Sequence, residues 1–294
     1  MNPSLPALPA VPVPSWLYAL RLLPASLRGK GRIARRLMNF AALEGPVKIE
    51  AGGVTFWAPS AREPVAFHLI VDGLYDADTC AVLKQALRPG SVFMDVGANI
   101  GAMSITAARR WCPQGRVIAF EASPGIHRYL AHNAAQNAIA GLTILHRAVS
   151  NASGLTLPFY EAPDAKFGMG SLADRFGGQE TGVPTLTLDD AMQQLAIERV
   201  DVIKVDVEGF ELEVFQGSQR LLQQDPSPLI VFEFNDWAEA RDGAAKAGDA
   251  QRFLRSLGYT TLAIKPFLQG DHAEQPVMTS GGCDFVAFRH PHSR

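Results

Sequence analysis

Two acidic clusters and one glycine loop carry the chemistry that this chain can offer. Ile203–Glu211 reads I-K-V-D-V-E-G-F-E, so an apolar strand delivers Asp206 and then Glu208 to a turn. Partial desolvation at a strand end raises a carboxyl pKa toward the range useful for taking a proton from an acceptor. Glu211 opens the following helix, where the macrodipole alone favours an acid. Phe232–Asp236 reads F-E-F-N-D and brings Glu233, Asn235 and Asp236 to a second strand end. Glu208 is the leading candidate base, Asp206 its support or substitute, and Glu233 a third possibility. Asp206 with Asn235 or Asp236 would suit Mg²⁺ by oxygen chemistry, but a hydrogen-bonding acidic rim without metal is the expected arrangement.

Ser91–Gly101 reads S-V-F-M-D-V-G-A-N-I-G, a strand running into a glycine turn and then an Ala/Ile-rich helix. Such a turn in an open α/β sheet binds ligands beyond the carboxyl ends of the strands. Gly97 and Ala98 offer close backbone approach. Asn99 stands where the dinucleotide fingerprint needs its second glycine, which argues against a pyrophosphate. Asp95, just ahead of the turn, suits a ligand bearing an ammonium group. Glu121 follows 26 residues after Asp95 at the next strand end and can accept both hydroxyls of a ribose. An adenosyl ligand with an ammonium and no pyrophosphate is S-adenosylmethionine rather than NAD.

These residues need a parallel sheet to gather them. Strands are expected at Val92–Val96, Val117–Glu121, Leu142–Val149, Val202–Val207 and Leu229–Phe234, alternating with helices. Ser123-Pro124 caps one helix, Phe210–Leu222 forms another, and Gln251–Leu257 a third. Tyr259–Ile264 and Phe285–Phe288 are expected as last, antiparallel strands. Upstream, Val47–Ile49 and Val54–Trp57 pair through Gly52-Gly53, and Asp78–Leu87 forms a helix capped by Asp76 or Asp78. Added strands at Leu155–Tyr160 and Val183–Leu188 flank a glycine-rich loop, Lys166–Gly178, of the length and composition that functional loops favour. The expected fold is α/β, with a mostly parallel central sheet and helices on both faces. Three segments are expected: 1–40, 41–88 packing on the core, and a catalytic domain over 89–294.

The chain has 294 residues, 47% hydrophobic and 19% charged, with a net charge of −2. That balance buries a large core and gives no reason to expect a nucleic-acid partner. Cys80, Cys112 and Cys283 have no paired spacing, as expected of reduced thiols in a cytoplasmic protein. No His pair with metal-ligand spacing and no G-x-S-x-G elbow is present. Residues 1–40 differ: they hold six basic residues and no acid. Met1–Pro14 is proline-rich and expected to be extended. Ser15–Phe40 reads either as a solvated helix at the domain edge or as a basic amphipathic helix for an anionic membrane or a protein partner.

The ordered blocks P-G-S-V-F-M-D-V-G-A-N-I-G (89–101), F-E-A-S-P (120–124), A-V-S (148–150), G-S-L (170–172), T-L-D-D (187–190) and I-K-V-D-V-E-G-F-E (203–211) resemble the FkbM family of S-adenosylmethionine-dependent methyltransferases. Leu74-Tyr75-Asp76 sits where that family often has a Tyr-Glu pair. The resemblance implies a Rossmann-like class I methyltransferase fold and O-methylation of a hydroxyl on a sugar, glycan, polyketide or related metabolite. It implies a cofactor held by Asp95, Gly97, Asn99, Gly101 and Glu121, Ala148 beside the adenine, and Asp206 and Glu208 at the transfer site. The competing readings are an NAD(P)-dependent oxidoreductase and a catalytically inert binding protein on the same fold.

Overall fold

The computed structural model describes residues 9–24, 27–161, 172, 180–240 and 246–289. The chain enters as a short strand, β1 (Val11–Pro12), so the proline-rich segment is extended where it is described. Ser15–Phe40 is not one helix. It forms a 3-10 turn, Ser15–Leu22, then helix α1 (Lys30–Phe40) entered through a left-handed Gly29. Pro24 lies between them, where a continuing helix would lose a hydrogen bond and meet the ring. β1 pairs with β2 (Val47–Ala51), which pairs antiparallel with β3 (Val54–Ala58). Next come α2 (Pro64–Val71) and α3 (Ala77–Ala86). α2 is apolar on every side, P-V-A-F-H-L-I-V, so it carries no helical period to read. Asp76 is the cap of α3: its Oδ1 accepts the Thr79 N–H at 3.1 Å.

The main sheet begins with β4 (Val92–Val96), followed by α4 (Ala102–Thr106), which runs on into a π-helical turn ending at Trp111. β5 (Arg116–Glu121) leads to α5 (Pro124–Gln136), whose Ser123 hydroxyl accepts the Ile126 N–H. The expected Leu142–Val149 strand is two strands. β6 (Leu142–His146) extends the main sheet, whereas β7 (Ala148–Val149) turns away to join a second sheet with β8 (Thr156–Tyr160) and β9 (Glu180–Leu186). The glycine-rich loop between β8 and β9 lies outside the described residues apart from Leu172. α6 (Leu188–Gln194), β10 (Val202–Val205), α7 (Glu211–Gln216) and α8 (Gln219–Leu222) follow. The expected single helix 210–222 breaks at Gly217, where a Cβ would sit 2.2 Å from the Ser150 carbonyl oxygen. β11 (Leu229–Asn235), α9 (Asp236–Glu239), α10 (Asp249–Ser256), β12 (Thr260–Ala263), α11 (Ile264–Leu268) and β13 (Gly282–Phe288) complete the fold.

The strand order is β12-β13-β11-β10-β4-β5-β6. The five strands from β11 to β6 are parallel, and β13 runs antiparallel between β11 and β12. Strands β4 and β10 are almost continuously apolar and buried, as expected of a sheet covered on both faces. Chain connection reverses between β4 and β10, which opens a crevice above their carboxyl ends. The N-terminal layer closes one side of that crevice. Val13, Leu17, Ala34, Met38 and Phe56 share one buried cluster with Ile100, Ile105 and Ile126.

Candidate active site

The β4–α4 loop is tied to its neighbours before any ligand is considered. The N–H groups of Gly97 and Ala98 both donate to the Phe120 carbonyl. Gly97 has φ 76°, and a Cβ there would lie 1.8 Å from the Asp206 carbonyl oxygen. The close approach that requires glycine is therefore to the β10 loop, not only to a ligand. Asn99 adopts φ 51°; its N–H donates to Glu121 Oε2 at 2.9 Å, and its Oδ1 accepts the Ile100 N–H. Gly101 stands apart from the cavity. Its Cβ would strike Leu130 Cδ1 at 2.6 Å, so it sets the packing of α4 on α5.

One cavity of about 1080 Å³, its mouth included, lies over the carboxyl ends of β4, β5, β10 and β11. Asp95, Gly97, Ala98, Asn99, Glu121, Ala148, Asp206, Glu208 and Glu233 all line it. At one end, Glu121 is buried and both carboxyl oxygens accept backbone N–H groups, Oε2 from Asn99 and Oε1 from Ser123. Burial pushes its pKa up to about 7, against the opposing effect of those two donors. Ala148 and Arg147 line the same cavity.

At the other end, one carboxyl oxygen from each of Asp206, Glu208 and Glu233 lies within 4.8 Å of the others. Glu208 sits at φ 54° in the turn after β10, a left-handed conformation that a non-glycine residue adopts at a cost of about 1–3 kcal/mol. Glu211 holds that turn: its Oε1 accepts the N–H groups of Val207 and Gly209, on either side of Glu208. The helix-opening acid thus braces the candidate base, beyond any macrodipole effect. Burial drives the Glu233 pKa up to about 10, with Asp206, Glu208 and Glu211 adding to the rise. Glu233 therefore carries a proton at neutral pH. Across the β11–β13 pair its partner Asp284 is raised to about 7, mainly by burial, with Asp76 and Asp206 contributing. Asn235 and Asp236 do not join the group. Asp236 Oδ1 and Oδ2 accept the N–H groups of Trp237 and Gly281.

Lys204 lies between Asp95 and the acidic group. Register pairs it with Asp95 on the adjacent strand, and its Nζ lies 3.5 Å from Asp95 Oδ1 and 3.4 Å from Asp206 Oδ2. It also donates to the Gly97 carbonyl at 2.7 Å. Burial opposes its charge, but Asp206 and Asp95 outweigh that cost and hold the ammonium above its ordinary pKa. Asp95 is wholly buried; its Oδ2 accepts the Ser104 hydroxyl and its Oδ1 makes no hydrogen bond. The expected ammonium partner for Asp95 is thus already represented by Lys204.

Three further cavity residues had no role in the sequence reading. Lys204 lay inside a quoted motif without a role, because its alignment with Asp95 depends on strand order. Tyr75 belongs to the α2–α3 connection, and burial followed by the field of Asp206 raises its pKa well above the usual value. Glu63 caps α2, its Oε2 accepting the Ala66 N–H at 2.7 Å, while its wholly buried Oε1 makes no hydrogen bond. Burial pushes Glu63 up to about 7. Its signal was the Glu63-Pro64 pair, with proline at the first helical position.

A parallel sheet with one antiparallel strand inserted beside its end, a glycine loop at the switch point and acids at four strand ends define a Rossmann-like class I methyltransferase. Residues 95–261 match the methyltransferase FkbM domain, and the chain belongs to that family. It is 31% identical over 210 residues to methyltransferase sdnD of Sordaria araneosa, covering 60% of this chain and 77% of that one. It is 29% identical over 207 residues to hexuronic acid methyltransferase AglP of Haloferax volcanii (70% and 81%). It is 28% identical over 227 residues to 31-O-demethyl-FK506 methyltransferase FkbM of Streptomyces tacrolimicus (64% and 80%).

Proposed function

We propose that this methyltransferase uses S-adenosylmethionine to methylate a hydroxyl oxygen on a sugar, glycan, polyketide or related small acceptor. The residues present fit that cofactor. Glu63, which lines the cavity, has a buried Oε1 that makes no hydrogen bond, which suits a ligand with a positively charged end. Glu121 is held rigidly by two backbone donors and keeps lone pairs for two ribose hydroxyls. When bound, the cofactor would supply a methyl group made electrophilic by its sulfonium. Ala148 would lie on the adenine side.

The chain's own task is to orient an acceptor hydroxyl and take its proton. Glu233, protonated at neutral pH, would donate a hydrogen bond to an acceptor oxygen. Glu208, fixed by the Glu211 brace, would receive the hydroxyl proton, with Asp206 paired to Lys204 beside it. The observation that carries this reading is the convergence of Asp206, Glu208 and Glu233 within 4.8 Å in the same cavity that Glu121 lines. Two relatives whose names specify a hexuronic acid and a 31-O position support an oxygen acceptor. Three unpaired thiols support a reducing, cytoplasmic setting.

The test is twofold. Calorimetry should detect binding of S-adenosylmethionine and not of NAD; the reverse would overturn the cofactor assignment. Incubation with hydroxylated acceptors should give a product one methyl heavier by mass spectrometry that resists mild ester hydrolysis, and an ester or N-methyl product would overturn the hydroxyl assignment.

A further inference from the structure

The surface formed by residues 11–40 differs from the rest of the described surface. Val11, Trp16, Leu22, Leu23, Leu27, Ile33 and Phe40 are exposed, against only Leu155 and Trp237 elsewhere among large hydrophobic side chains. Leu22 and Phe40 are 86% and 84% exposed. They are not loose ends of an unfolded tail. The same segment is anchored by Leu17, Leu20, Ala34 and Met38 in the core, and by two of its basic residues. Arg21 donates to the carbonyls of Glu50, Leu69 and Ile70, and Lys30 pairs with Asp72 at 2.7 Å.

The remaining basic residues are outward. Arg28, Arg32, Arg35 and Arg36 are exposed, and among the described residues none has a carboxylate partner. Residues 1–40 contain no acid. On α1 the buried positions are Lys30, Ala34 and Met38, which by helical spacing places Arg32, Ile33, Arg36 and Phe40 on the opposite side. Phe40 meets Trp16 edge to face, with ring centroids 6.4 Å apart, so the face continues from α1 onto the 3-10 turn. Guanidinium groups thus stand among protruding aromatic and aliphatic side chains on a rigid platform.

We propose that this face docks on an anionic lipid membrane, with the arginines on headgroup phosphates and Trp16, Ile33 and Phe40 entering the acyl boundary. Single-sign charge among isolated apolar side chains matches a layer in which phosphate and hydrocarbon lie a few ångströms apart. No helix among the described residues is long and apolar enough to cross a membrane, so the attachment is peripheral. The inference does not depend on the acceptor, because none of these residues lines the cavity.

The full chain should co-sediment with phosphatidylcholine vesicles containing phosphatidylserine and not with phosphatidylcholine alone. Each basic residue near an anionic surface is worth roughly fivefold in partition. Arg32→Glu with Arg36→Glu should therefore weaken pelleting on the order of 25-fold or more. Phe40→Ser should cost about tenfold. Trp16 emission should shift to the blue with anionic vesicles, the shift vanishing in Trp16→Phe. All four side chains are exposed, so unfolding temperatures should stay unchanged. Pelleting indifferent to phosphatidylserine, none at all, or none lost in the variants would overturn the proposal. So would light scattering that shows a dimer split by Phe40→Ser, which would make a second copy the occupant.

Discussion

Glu121 and Glu233 are the same residue type, both withdrawn from water in one cavity, yet the first is raised to about 7 and the second to about 10. Burial is the leading cause in both. The difference lies in the neighbours: Glu121 faces two backbone N–H donors, whereas Glu233 faces Asp206, Glu208 and Glu211. One end of the cavity is built to accept hydrogen bonds at a fixed point. The other is built to keep a proton. Lys204 is a buried cation set between Asp95 and Asp206.

The contrast breaks most visibly at Glu208. Glu208→Gln should lower single-turnover methyl transfer by about 10²–10⁴-fold while calorimetry shows cofactor affinity nearly unchanged. A normal rate with a large loss in Asp206→Asn would move the base to Asp206. Lys204→Met removes the shared cation and leaves Asp95 and Asp206 uncompensated. Urea unfolding should show a loss of about 3–5 kcal/mol, and a smaller loss would mean that water already screens the pair.

Glu121→Ala probes the opposite end. It should weaken S-adenosylmethionine binding by about 1–3 kcal/mol and leave the rate at saturating cofactor nearly intact; the reverse pattern would merge the two ends into one functional unit. A fourth effect is on stability against pH. Glu211 is raised to about 8 from 4.5, first by burial, so the folded state binds the extra proton. Its contribution is full below the unfolded value of about 4.5 and is lost as pH rises through about 8. Wild type should therefore lose up to about 1.4 kcal/mol per pH unit relative to Glu211→Gln across that window. Parallel stability curves for the two proteins would exclude a retained proton on Glu211.

The acids, the glycine loop and most of the strands were legible because they obey local rules. β4 has the bounds that its apolar run and flanking glycines dictate, Ser123-Pro124 caps α5 as such pairs do, and Asp95, Glu121, Asp206 and Glu233 stand at the strand ends where ligands collect. What escaped was set by contacts between distant segments. Gly97 answers to the Asp206 carbonyl, and Gly217 to that of Ser150. Lys204 meets Asp95 only once β10 lies beside β4 in the observed register. Glu63 reaches the cavity from a helix without a polar face, so periodicity carried no trace of it. The sequence by itself determined which groups could bind and exchange protons, since residue type and strand-end position are local properties. Tertiary structure alone decided which of those groups keep their charge, because burial and the sign of the nearest neighbours belong to the assembled sheet.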